Sequence, residues 1–218
     1  MRELTGVILA GGRGSRLGRN KARVTLSRPA HGEFDLLQHT MGMLEEVCGK
    51  AMVVGQDIPG YPCHTDASPG HGPMGGIATA LAIAEGPCLV LSCDLPFMNT
   101  AMLEKLVRAY RERPEGALST AYMERDTGRI EALVAVYGYE TRPLFQSCVD
   151  RNLLKISLTV PREQQHFLTY GPEEAHHFFN INYPEDLEKA QLILLAGDPD
   201  NAGTALGPTA GTGTKTAI

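Results

Sequence analysis

The first residues that suggest a chemical role form a basic, glycine-rich segment directly after a short apolar stretch. Residues 9–21 read LAGGRGSRLGRNK. Glycine lets a backbone approach a ligand closely and turn its amide groups toward an anion. Residues 4–32 carry six cations and no acid, although the whole chain has a formal net charge of −5. A polyphosphate site explains this local excess of positive charge better than a solvated loop does.

The glycine spacing limits the kind of nucleotide loop that this segment can form. A Walker loop requires GxxxxGK[ST], and residues 9–21 lack that spacing. The dinucleotide fingerprint GxGxxG would need a glycine at the position of Leu17. The loop cations Arg13, Arg16 and Lys21 suit a triphosphate better than a pyrophosphate resting on a helix end.

A second candidate is Asp94, which follows the apolar residues 88–92. An aspartate at the carboxyl end of a central parallel strand lies where α/β sheets open their ligand crevice. Mg²⁺ usually takes one or two carboxylates together with substrate phosphates, so Asp94 is a candidate metal ligand. Capping of the next turn explains the same residue equally well. Cys93 is interpreted as a small buried residue.

Two further segments carry polar residues beside turns. Asp66 opens a loop rich in glycine and proline that leads into a helix with little side-chain bulk, and a plain surface loop is an equal alternative. Asn180 and Asn182 precede a helix that begins at Pro184, and their residue types favour capping over ligand binding. His176 and His177 lack the spacing of a zinc motif.

These segments lie between short apolar strands that alternate with amphipathic helices. Strands are predicted over 4–10, 51–54, 88–92, 117–122 and 132–137, and helices over 34–47, 74–84, 100–111 and 184–195. Thr100 is the predicted cap of the third helix. This alternation predicts an α/β protein with a parallel sheet and helices on both faces.

Composition excludes several classes of protein. The 218 residues contain 20 basic and 25 acidic side chains, which argues against nucleic-acid or membrane-surface binding. Neither a membrane span nor a secretory signal is predicted. The five cysteines form no CxxC pair, so a reducing cytoplasm is expected. Residues 197–218 have almost nothing large to bury and are predicted to be a disordered tail.

Taken together and in order, four segments resemble the molybdenum cofactor guanylyltransferases of the MobA type, within the larger nucleotidyltransferase family. The resemblance covers roughly residues 4–195. The family patterns LAGGxSxRMGxxK, GPLAG, CDxPF and FxNxNTPED are matched or approximated by residues 9–21, 72–76, 93–97 and 178–186.

The chain departs from these patterns at several positions. Gly14, Leu17 and Asn20 replace the usual Ser, Met and Asp of the first loop. Residues 27–34 replace the usual GKPL with a longer connection, so the acceptor side of the site is expected to differ from the family pattern. Gly55 stands where family members often have Asn, and Tyr183 replaces the usual Thr before the proline.

The resemblance implies a three-layer α/β/α Rossmann-like nucleotidyltransferase fold with a mostly parallel central sheet, over residues 1–196. It also implies roles for individual residues. Asp94 would hold Mg²⁺, and Arg16, Lys21 and Asp94 would be catalytic. Residues that would contact GTP or the reacting groups are Leu9, Ala10, Gly11, Gly12, Lys21, Asp66, Asp94, Asn180 and Asn182.

The implied reaction transfers GMP from GTP to the terminal phosphate of molybdopterin and releases pyrophosphate. The implied partners are GTP, molybdopterin and, transiently, molybdenum cofactor biosynthesis proteins or molybdoenzyme chaperones. A cytidylyltransferase, a sugar-phosphate nucleotidyltransferase and a non-catalytic nucleotide-binding module are the alternatives. The related cytidylyltransferases usually carry AAG, so Leu9-Ala10-Gly11-Gly12 favours GTP.

Overall fold

A computed structural model of the chain describes residues 3–10, 24–28 and 32–196. The predictions for Gly11, Gly12, Arg16, Lys21 and the tail 197–218 lie outside these residues. The described residues form nine strands: β1 Thr5–Ala10, β2 Thr25–Arg28, β3 Gly32–Asp35, β4 Ala51–Gly55, β5 Cys63–Thr65, β6 Cys88–Leu91, β7 Ser119–Glu124, β8 Ile130–Tyr137 and β9 Gln165–Tyr170. Five α-helices accompany them: α1 Leu36–Cys48, α2 Pro73–Ala84, α3 Thr100–Arg111, α4 Arg142–Asp150 and α5 Pro184–Leu195.

Seven strands form one mostly parallel sheet in the order β5-β4-β1-β6-β8-β7-β9. Pairing is parallel in β5-β4-β1-β6 and between β7 and β9, whereas β8 runs antiparallel to both of its neighbours. The connection from β7 to β8 spans only residues 125–129, which is too short for a parallel crossover. The predicted mostly parallel sheet is therefore confirmed, with one reversed strand.

Helices cover both faces of the sheet and make three layers. Helices α1 and α3 pack together on one face, and α2 and α4 pack together on the other. The central strand β6 sends Leu89 and Leu91 into the first core and Cys88 and Val90 into the second. Burial on both faces explains why the central strands read as continuous apolar runs.

The start of α1 and the capping residue of α3 differ from prediction, whereas α3 starts at Thr100 as predicted. Helix α1 begins at Leu36 rather than residue 34, because Asp35 Oδ1 accepts a hydrogen bond from the N–H of Gln38 at 2.6 Å. Helix α3 is capped by Asn99, whose Oδ1 accepts from the N–H of Met102 at 3.0 Å. The prediction that Thr100 caps this helix is wrong: its hydroxyl donates to Glu46 instead.

The described residues of the unusual segment 27–34 belong to an antiparallel pair, β2 with β3, that docks on the last helix. The N–H of Ser27 donates to Gln191 Oε1 at 2.9 Å, and Gln191 Nε2 donates back to the Ser27 carbonyl at 3.0 Å. Helix α5 thereby closes a third apolar cluster that includes Leu26, Phe97 and Ile181. Within the described ranges, no helix is long and apolar enough to cross a membrane.

Candidate active site

The carboxyl ends of four parallel strands meet at one edge of the sheet. In the strand register Ala10 and Thr65 both pair with Gly55, and Ile8 pairs with Leu91. The N–H of Gln56 also donates to the Ala10 carbonyl at 2.7 Å. Leu9 and Ala10, Asp66 and Asp94 therefore stand at the ends of β1, β5 and β6 along the same edge, where α/β sheets bind ligands.

Asp94 lies buried just beyond the end of β6, with its side chain hydrogen-bonded. It is 9 % exposed, and the Ser92 hydroxyl donates to its Oδ1 at 2.5 Å. The N–H of Ser92 donates to the carbonyl of Leu133, which extends the pairing of β6 with β8 beyond the strand. Cys93 is buried in the α1/α3 core, as predicted.

The segment that carries the two asparagines contacts the Asp94 segment directly. The N–H of Ile181, which lies between Asn180 and Asn182, donates to the Asp94 carbonyl at 2.9 Å. Four residues before Ile181, His177 Nδ1 donates to the Phe97 carbonyl at 2.7 Å in the tautomer that makes this hydrogen bond. The fold thus brings together two motifs that are about 85 residues apart in the chain.

Helix α5 begins with a carboxylate that reaches back toward this segment. Asp186 Oδ2 accepts hydrogen bonds from the N–H groups of Asn182 and Tyr183, both at 2.9 Å. Tyr183 is the N-cap residue, so the interpretation of the asparagines as capping residues is wrong. The Asn180 side chain donates to the Phe178 carbonyl at 2.9 Å, within its own turn.

Asp66 joins its loop to helix α2. Its Oδ1 accepts from the N–H of Ser68 at 2.8 Å and from the Thr79 hydroxyl at 2.9 Å. The same hydroxyl accepts from the N–H of Ala67 at 3.0 Å. The structure therefore shows a loop-bracing role for Asp66, and a contact with GTP stays a prediction.

The glycines of the first turn of α2 permit a close approach of protein to protein. A Cβ at Gly75 would lie 2.5 Å from the Ser68 carbonyl oxygen, and one at Gly76 would lie 2.9 Å from Leu9 Cδ2. Both distances are shorter than real Cβ atoms show. These glycines let the loop and the end of β1 pack directly against α2.

Asp94 has the chemistry of a ligand that shares a metal with a substrate. Among the described residues, no group of three or more His, Cys, Asp or Glu side chains could hold a metal ion without other ligands. One buried carboxylate at a sheet edge fits a hard cation that takes its remaining ligands from phosphates and water.

Comparison with known proteins identifies the family. The model of the MobA-like NTP transferase domain matches residues 6–163. The chain is 31% identical over 198 residues to a probable molybdenum cofactor guanylyltransferase of Rhodopirellula baltica, covering 84% of this chain and 90% of that protein. It is 29% identical over 187 residues to a molybdenum cofactor biosynthesis bifunctional protein of Synechocystis, covering 84% of this chain and only 52% of that longer protein.

A solved structure has the same fold. It is the molybdopterin-guanine dinucleotide biosynthesis protein A of Archaeoglobus fulgidus, with a TM-score of 0.67 and 24% identity. The superposition covers 87% of this chain and 97% of that one. With the family model spanning most of the sheet and the four motifs in order, the chain belongs to the MobA-like NTP transferase domain family.

Proposed function

We propose that this nucleotidyltransferase transfers GMP from GTP to the terminal phosphate of molybdopterin, releases pyrophosphate and forms the guanine dinucleotide cofactor. The hydrogen bond between Ile181 and Asp94 carries the proposal, because it unites two family motifs at the ligand edge of the sheet. The names of the relatives support the choice of guanylyl transfer.

The chemistry requires positioning rather than a general base. A phosphate monoester is largely ionised near pH 7, so the acceptor oxygen can attack the α-phosphate of GTP without prior deprotonation. The P–O bond to the acceptor forms as the bond to the β-phosphate bridging oxygen breaks, and pyrophosphate leaves with that electron pair. Alignment and neutralisation of the phosphate charge then supply the catalysis.

Each proposed residue has a part in that positioning. The amides of Gly11 and Gly12 and the cations Arg16 and Lys21 bind the triphosphate beyond the end of β1. Leu9 and Ala10 border the proposed nucleotide site, and Asp66 holds the neighbouring loop. Asp94 would hold Mg²⁺, which would neutralise triphosphate charge. Asn180 and Asn182 lie beside the reacting groups.

The proposal also covers the setting of the reaction. The acceptor is the free pterin cofactor rather than a nucleic acid or a lipid, which suits the net charge of −5. All five cysteines lie in the described ranges and none is in a disulfide, which suits a reducing cytoplasm.

Pyrophosphate release tests this function directly. Purified full-length protein is incubated with GTP, CTP or ATP and Mg²⁺, each with and without molybdopterin. We expect release only when GTP and molybdopterin are both present. Equal or faster release with CTP would overturn the guanylyl assignment, and no release with any nucleotide would overturn the transferase proposal.

A further inference from the structure

A polar cluster lies at the sheet edge on the far side of Asp94 from β1. None of its residues has a role in the proposed transfer step. We call Glu124, Arg129, Glu131 and Tyr170 the edge cluster. The Tyr170 hydroxyl donates to Glu131 Oε1 at 2.6 Å, and Arg129 Nη2 lies 3.0 Å from the same oxygen. Arg129 Nη2 also donates to the Tyr170 hydroxyl at 3.0 Å, and its Nε lies 3.5 Å from Glu124 Oε2.

Strand direction puts the edge cluster on the same edge as Asp94. Glu124 and Tyr170 end the parallel strands β7 and β9 and pair with each other in the register. Strand β8 runs the other way, so its first residues lie beside the carboxyl end of β6, where Leu91 pairs with Val134. Glu131 is the second residue of β8.

Glu131 lies in an irregular part of β8. Residues 121–123 of β7 stand opposite residues 135–130 of β8, so the ladder shifts register there. Such bulges redirect side chains and are common beside active sites. The irregularity gives Glu131 a local geometry that a regular strand would not provide.

Tyr170 connects Glu131 to residues 180–182, which we call the asparagine segment. Its ring stacks on Phe178 with centroids 4.0 Å apart and planes 24° apart. The Phe178 carbonyl in turn accepts the hydrogen bond from Asn180 Nδ2. Tyr170 and Phe178 therefore link the edge cluster to Asn180 by direct contacts.

The burial of Glu131 points to a ligand with hydrogen-bond donors. Its side chain is only 14% exposed, whereas that of Arg129 is 53% exposed. Burial raises the pKa of Glu131, against the lowering effects of the Tyr170 hydrogen bond and the Arg129 charge. A partly buried carboxylate that accepts from Tyr170 and pairs with Arg129 at a ligand edge is a candidate recognition group.

We infer that Glu131 accepts hydrogen bonds from adjacent N–H donors on the 2-amino-4-oxopyrimidine ring of the acceptor pterin, while Tyr170 and Arg129 position its carboxylate. This inference rests on the proposed function. Guanine presents the same donor edge, so GTP is the other source of this chemistry. The sheet order favours the acceptor, because β6 and Asp94 separate the edge cluster from β1, which carries the proposed nucleotide contacts Leu9 and Ala10.

The decisive variant is Glu131→Gln, which keeps an oxygen for Tyr170 but removes the charge and places an amide against the donors. We expect the KM for molybdopterin to rise about 10- to 100-fold, with the KM for GTP and kcat within about twofold of wild type. Glu112→Gln, at an exposed position after α3, is the matched control and should change none of these constants.

Tyr170→Phe is a second variant that preserves the ring packed on Phe178. It should raise the KM for molybdopterin by about three- to tenfold, because it removes the hydrogen bond by which Tyr170 positions the Glu131 carboxylate. An increase in the KM for GTP in either variant would assign the edge cluster to guanine and overturn the pterin assignment. Unchanged constants in both variants would overturn the inference altogether.

A binding comparison separates this inference from the proposed function. Wild-type protein and Glu131→Gln are titrated with pterin and with lumazine, in which an oxo group replaces the 2-amino group. Wild type should bind pterin about tenfold or more tightly than lumazine, and the variant should lose that preference. If turnover fails but wild type still prefers pterin, only the proposed function is rejected. If wild type binds pterin and lumazine equally well, the inference is rejected.

Discussion

The N–H of Ile181 donates to the carbonyl oxygen of Asp94 at 2.9 Å, which fixes the asparagine segment against the candidate metal ligand. The contact uses only backbone atoms, so it constrains position without consuming either side chain. Asn180 and Asn182 flank Ile181, and the carboxylate of Asp186 holds the next two N–H groups. Residues 181–183 are thereby held beside the end of β6, at one end by Asp94 and at the other by Asp186.

Asp94→Asn should abolish metal-dependent turnover while the fold is kept. Asparagine can still accept the hydrogen bond from Ser92, but it lacks the charge that binds a divalent cation. We expect turnover to fall by at least about 10³-fold, which corresponds to about 4 kcal/mol. Pyrophosphate release and circular dichroism measure the two effects. Asp150→Asn removes the same charge at an exposed position and should be silent; near-normal turnover of Asp94→Asn would remove Asp94 from the mechanism.

Lys21→Ala should lower catalysis far more than stability. A lysine that neutralises the triphosphate contributes mainly to the transition state, so kcat/KM for GTP should fall about 10²-fold or more, or about 2.7 kcal/mol. Lys50→Ala is the matched control, since Lys50 is exposed and paired only with exposed Glu3 among the described residues. A large fall in melting temperature with unchanged kinetics would show a structural role for Lys21 instead.

Gly75→Ala should push the Asp66 loop away from α2. The added methyl group would lie 2.5 Å from the Ser68 carbonyl, and overpacking of this kind costs about 1–3 kcal/mol of unfolding free energy. Gly42→Ala makes the same chemical change inside α1, where nothing lies within 4 Å, and should gain about 0.5–1 kcal/mol. Urea titration measures the unfolding free energy of both variants. Equal changes in the two would show that the loop moves away from α2 without cost.

Removal of the Glu131 charge should change how stability depends on pH. Burial raises the pKa of Glu131 in the folded protein, so its proton stabilises the fold below the unfolded pKa. That stabilisation disappears as pH rises through the folded pKa. Glu131→Gln does not titrate, so its unfolding free energy, measured by urea titration, should rise relative to wild type as pH increases above the ordinary glutamate pKa of about 4.3. A relative fall over the same range would show that pairing with Arg129 outweighs burial.

The central strands and the last helix could be predicted because their sequence signals are strong. Strands β1, β4 and β6 are apolar on both faces, and α5 begins and ends as its proline and acids indicated. The missed strands β5 and β9 are edge strands with half-exposed residues, so no continuous apolar run marks them. The β2–β3 pair depends on its contact with α5, which is distant in sequence.

Some residues of the candidate site could likewise be predicted from the sequence, and others could not. Asp94 could be found because it follows an apolar strand directly. The edge cluster could not be found, because Glu131 and Tyr170 meet only through a register shift in β8 and the pairing of β9. The bracing role of Asp66 likewise depends on the helix position of Thr79. Local sequence signals identify where strands end, but they do not show which side chains come together at the same edge of the sheet.

The fate of the two ends of the triphosphate tests guanylyl transfer most directly. Wild-type protein, Mg²⁺ and molybdopterin are incubated with GTP that is radiolabelled at either the α- or the γ-phosphate. We expect the α label to appear in a pterin guanine dinucleotide and the γ label to appear in pyrophosphate. Transfer of the γ label to the pterin, or release of both labels as free nucleotide and inorganic phosphate, would contradict the account.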